Sequence, residues 1–112
     1  MYQPATVELV LIASDTAIQA RREALTRFVR AVARGLALTA AHPDQAFNYY
    51  IGLNPKLNDA FNRRSFQATL PAFAHSQQQQ RERWAAFNAW MAAHKVIPSA
   101  VLPDRLYVNL AP

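Results

Sequence analysis

The 112-residue sequence contains no cysteine. That excludes disulfides, thiolate metal sites and thiol nucleophiles, and leaves the compartment open. Glycine occurs twice, at Gly35 and Gly52, so a glycine-rich phosphate loop has nowhere to form. Long apolar runs are also missing. None exceeds Leu9 to Ala13, which has a strand's length and falls far short of a bilayer span. The opening Met1-Tyr2-Gln3-Pro4 lacks the basic start and apolar middle of a secretory signal, so no signal peptide is read here. Carboxylates are scarce: 7 acidic residues stand against 12 lysines and arginines, for a formal charge of +5 and a pI near 10.2.

What remains is 52% hydrophobic, which argues for a folded chain and against disorder. The length fits one domain at most, residues 1–112. Abundant alanine and scarce glycine favour helices. Prolines at 4, 43, 55, 71, 98, 103 and 112 divide the chain.

Thr6 to Ala13 reads as a strand, because it is rich in β-branched residues, almost continuously apolar, and follows a proline. Such a run suits a strand buried on both faces. Ser14 and Asp15 then offer a helix cap. Helix is expected from about 16 to 41, with a possible break near Arg21. Ile18, Leu25, Val29, Val32 and Leu36 share one face, and Glu23, Arg27, Arg30 and Arg34 the other. His42-Pro43-Asp44 stops that helix and starts another, from Pro43 to about Tyr50, which Gly52 can end. Further helices are expected from about 58 to 70 and from about 77 to 94. Pro71 ends the first, Ser76 caps the second, and Gln77 to Gln80 form its first turn. The tail from Val96 reads as loop with one helical turn near Asp104 to Val108. The expected fold is therefore mostly α with one buried strand near the N-terminus. A lone strand leaves its N–H and C=O groups unpaired. Either the strand is not one, or the tail pairs with it, or its partners lie in another chain or a missing part of this one.

The chemistry search is short. His42, His75 and His94 are far apart, and none has a second ligand at helical spacing, so no metal is expected. Of the acids Glu8, Asp15, Glu23, Asp44, Asp59, Glu82 and Asp104, three sit at helix starts, where capping explains them. Ser14, Ser65, Ser76 and Ser99 lack a nucleophile elbow. The arginines 21, 22, 27, 30, 34, 63, 64, 81, 83 and 105 are spread over three helices and interrupted by Glu23 and Glu82. Without a recognition helix they read as solvated faces, and no nucleic acid is expected as a partner. Tyr49, Tyr50, Phe61, Phe66, Phe73, Trp84, Phe87 and Trp90 mostly keep core spacing.

The order of elements carries a resemblance. Glu8 to Asp15 resembles the strand and loop that open the last third of certain solute-binding proteins of ABC importers. Phe28 to Gly35 resembles the helix that follows. His42 to Ala46, Asn54 to Leu57 and Leu70 to Phe73 fit the next junctions. Trp84 to Trp90 and Val96 to Pro98 resemble the closing helix and tail. The chain is similar to the thiamine-pyrimidine-precursor, aromatic-sulfonate and nitrate type of periplasmic binding protein. It departs from that pattern at Arg21-Arg22, where proline is common, and at Lys95, where glycine is frequent.

The resemblance implies a C-terminal segment of a two-lobed, type II periplasmic-binding-protein α/β fold, that is, a single partial domain. It implies a scaffold role. An enzyme of the same fold is a second reading, but with no cysteine and no suitably accompanied histidine, no enzyme activity and no cofactor are expected. The resemblance also implies a small flat or anionic solute held upstream, a membrane permease as partner, and a periplasmic location. The ligand-binding residues are then unknown within this chain; Tyr2 and Thr6 lie where the chain would border the cleft. An unpartnered strand further suggests homo-oligomers through Val7 to Ile12. The alternative is a stand-alone basic helical interaction or regulatory domain.

Overall fold

The computed structural model describes residues 9–73 and 76–110. Among them the chain is 69% helical and contains no strand. Five α-helices follow one another: α1 (Asp15–Ala20), α2 (Arg22–Ala41), α3 (Pro43–Leu53), α4 (Ala60–Thr69) and α5 (Arg81–Ala93). Single 3₁₀ turns cover Pro55–Leu57, Leu70–Ala72 and Pro103–Arg105.

The expected buried strand is overturned. Residues 9–14 are irregular, and Leu9 and Ile12 are 97% and 91% exposed. A strand exists by virtue of its ladder, and no described segment supplies one. The stretch 6–8 lies outside the described residues.

Local signals place most helix boundaries. Ser14 Oγ accepts the Ala17 N–H at 3.1 Å and starts α1. The break at Arg21 is real: its φ of −129° interrupts α1 from α2. Pro43 stands at the start of α3, where its missing N–H costs nothing. Gly52 does not end α3, which runs on to Leu53 and stops at Asn54 before Pro55. Asp59 starts α4, and Pro71 follows its end inside a 3₁₀ turn.

The start of the last helix is displaced from expectation. Ser76 is not the N-cap of α5: residues 76–80 are not helical, and α5 begins at Arg81 after Gln80. Its end is a Schellman motif: Val96 N–H donates to Met91 O at 2.9 Å and Lys95 N–H to Ala92 O at 3.1 Å. Lys95 holds φ at +58°, the left-handed region in which a glycine is unstrained.

Two compact units divide the chain. One comprises Met1–Thr26 with Gln78–Pro112, and the other Arg27–Gln77. In the first, α5 carries the tail. In the second, the buried centre is Phe47 of α3, 1% exposed and 5.3 Å, ring to ring, from Phe66 of α4. Among the described hydrophobic residues Phe47 alone is buried. Tyr49 and Phe61 of the same unit are exposed, against the core spacing read for the aromatics, and Leu53 is exposed with them.

Candidate functional site

The helix ends absorb most chemistry-bearing side chains. The Asp59 carboxylate accepts the Asn62 N–H at 2.7 Å and Asn62 Nδ2 at 3.0 and 3.1 Å. These bonds, the backbone one foremost, hold its carboxyl below the ordinary range. Asp15, Glu23, Asp44 and Glu82 lie in first turns, where the helix dipole favours them. Asp104 accepts from Arg81 Nε at 3.0 Å, both side chains being more than half exposed.

The histidines do not meet. His42 precedes α3 without a side-chain cap bond. His94 ends α5, stacked at 4.3 Å on Trp90, with Nδ1 2.8 Å from the Trp90 carbonyl oxygen. His75, Glu8, Tyr2 and Thr6 lie outside the described residues. Among the described residues no three His, Cys, Asp or Glu side chains gather as a metal group. No helix there is long and apolar enough to cross a membrane.

Two clusters remain. Around α5, Trp84 stacks on Tyr107 at 6.1 Å with planes 12° apart, and its Nε1 donates to Gln79 Oε1 at 3.0 Å. Asn88, 3% exposed, donates from Nδ2 to Val101 O and accepts Val101 N–H at 3.2 Å. Asn109 repeats the device in reverse. Its Oδ1 accepts Gln79 N–H at 2.7 Å and its Nδ2 donates to Gln79 O at 3.1 Å. Each amide imitates a backbone peptide and pairs with both polar groups of one residue. Thr26 Oγ1 donates to Leu110 O at 3.0 Å and fixes the tail's end.

The second cluster is Phe47 with Phe66, Tyr50 and the Arg63 guanidinium, whose carbon lies 4.5 Å from the Phe47 ring centre. In the same unit a cavity of about 160 Å³ is lined by Ala33, Leu36, Ala37, Ala40, Leu70, Phe73, Ser76 and Gln77. None of these side chains ionises, so the cavity suits a small apolar group and offers no acid–base chemistry. Sequence reasoning missed Asn88 and Asn109. The available signal was an amide four residues after Trp84, on the apolar face of α5.

Comparisons with known proteins bear on this helical, chemically quiet arrangement. The family described as NMT1/THI5 like matches residues 1–46. The chain is similar to that family. It is 25% identical over 101 residues to the 4-amino-5-hydroxymethyl-2-methylpyrimidine phosphate synthase of Candida albicans (strain WO-1), which covers 90% of this chain and 29% of that protein. It is 29% identical over 77 residues to the synthase of the same name from Aspergillus parasiticus, covering 69% and 22%. No solved structure matches the chain.

The chain thus spans less than a third of the length of these relatives. The matches support a relation to thiamine-pyrimidine proteins with a periplasmic-binding-like character. They correct the expectation of a protein without enzymatic role: both relatives are named as synthases, and both are fungal. A helical piece of an α/β lobe is compatible with the fold, once the buried strand is removed from it.

Proposed function

We propose that the chain is a scaffold segment of a longer enzyme that acts on the thiamine pyrimidine, of the pyrimidine phosphate synthase kind. One observation carries this reading: the match covers 90% of the chain but only 29% of the relative. A segment so related owes its packing surface to the rest of the protein. The exposure of Leu9, Ile12, Tyr49, Leu53 and Phe61 fits that need. The catalytic groups and the pyrimidine pocket then belong to the part that this chain does not match. The clusters on α5 and around Phe47 hold helices in place and contain no acid–base pair aimed at a ligand.

The importer form of the same reading makes the chain part of a periplasmic solute-binding protein that docks on a membrane permease. It shares the ligand class, and the names of the matched relatives favour the synthase form. Calorimetry and product analysis on the polypeptide made from the complete reading frame separate them. Formation of the pyrimidine phosphate supports the synthase form. Binding of the unphosphorylated pyrimidine without turnover supports the importer form. Equal pyrimidine binding by the 112-residue chain alone refutes the scaffold role.

A further inference from the structure

Helix α2 has two apolar faces. One, with Leu25, Val29, Val32 and Leu36, is partly covered. The other carries Phe28, Ala31, Gly35 and Leu38 and is open: Phe28 is 54% and Leu38 62% exposed. A Cβ built on Gly35 meets nothing within 4 Å. These four residues follow each other at intervals of three, four and three, the spacing of a helix–helix seam. The small side chains at 31 and 35 leave room for a close approach between two larger knobs.

We propose that this face seats an amphipathic helix whose flank carries Asp and Glu, supplied by the part of the protein that the chain does not span. The proposal rests on the reading of the chain as a segment. Charge selects the occupant. Arg27 and Arg34 border the seam, each directly preceding one of its residues, Phe28 and Gly35, and Arg30 lies further round the same side of the helix. Arg30 and Arg34 have no ion-pair partner among the described residues. A second copy of the chain would bring the same three arginines to the seam against Glu23, the one carboxylate of α2, so like charges would outnumber opposite ones there. An acidic flank meets the arginines while its apolar seam covers Phe28 and Leu38.

The test uses the intact 112-residue chain and two designed helical peptides of about 21 residues. Both carry leucine at the seam positions, one with glutamate and one with lysine on the flanks. Saturable binding of the glutamate peptide, about tenfold tighter than the lysine peptide at low salt, is expected. Gly35→Leu weakens it about tenfold by filling the approach, while the helix content of the free chain holds or rises. Phe28→Asp abolishes it. No binding, or equal affinity for both peptides, overturns the proposal. So does a doubled molar mass in solution that Phe28→Asp abolishes, since a second copy then owns the face. The pyrimidine assays do not read this face, so the two readings fail separately.

Discussion

The buried amide of Asn88 is the most demanding single position in the α5 unit. Replacing it with leucine keeps the volume and leaves Val101 N–H and Val101 O without partners. Each group stranded in a dry site costs about 1–3 kcal/mol. Val101 is 41% exposed, so water recovers part of that. The expected loss is about 2–3 kcal/mol for Asn88→Leu, and similar for Asn88→Ala, where a cavity replaces the misfit. Asn88→Asp separates the two bonds. The carboxylate still accepts Val101 N–H but opposes Val101 O, so its folded pKa rises above the unfolded value. Its bound proton then stabilises the fold below the unfolded pKa, and this is lost as pH rises through the raised folded pKa. The assay is amide exchange at Val101 combined with urea unfolding followed by Trp84 and Trp90 fluorescence. A loss of 2 kcal/mol appears as about thirtyfold faster exchange. Unchanged Val101 exchange in Asn88→Leu, or an Asn88→Asp stability that is flat between pH 3 and 7, refutes the reasoning.

Other outcomes follow from the same geometry. Lys95→Gly removes the cost of a left-handed non-glycine residue, about 1–2 kcal/mol, against the greater unfolded freedom of glycine, so denaturation should show a net gain of about 0.5–1 kcal/mol. Phe47→Ala costs about 3–5 kcal/mol and melts the Arg27–Gln77 unit first, visible as exchange confined to α3 and α4. Arg63→Ala costs about 1 kcal/mol by unfolding titration, and Arg63→Met restores the part due to covering the ring. Asp59 has a lowered pKa, so its support of α4 is present above the unfolded carboxylate value and fades as pH falls through the folded one. Asp59→Asn keeps the cap and removes that dependence, read from the Asn62 amide shift across the titration.

Legibility in the sequence followed the range of the interaction. Ser14 and Pro43 announce helix starts, and the expected start near 58 lies beside the Asp59 cap, because a cap is settled within three residues. The break at Arg21 is visible for the same reason, whereas Lys95 stood out only against the family pattern, and its positive φ came from the structure. The strand at residues 6–13 misled because apolar, β-branched composition reports suitability for a ladder without showing that a ladder exists. The start of α5 was invisible. Gln79 is held out of the helix by Asn109, 30 residues away, and no local rule carries that distance.

The two asparagine pairs enclose nested rings. Asn88 with Val101 closes a 13-residue span, and Gln79 with Asn109 closes a 30-residue span around it. Closing the inner ring first shortens the outer search by its own length and lowers the outer closure entropy by about 0.5 kcal/mol. The coupling is reciprocal, so span alone sets the order: closing 13 residues costs about 0.7 kcal/mol less than closing 30. The tail therefore closes as a zip, from the bend after Lys95 outward to Leu110, and Thr26 receives the chain last. Loosening Asn88 delays every later step, whereas loosening Asn109 leaves the first one at full speed.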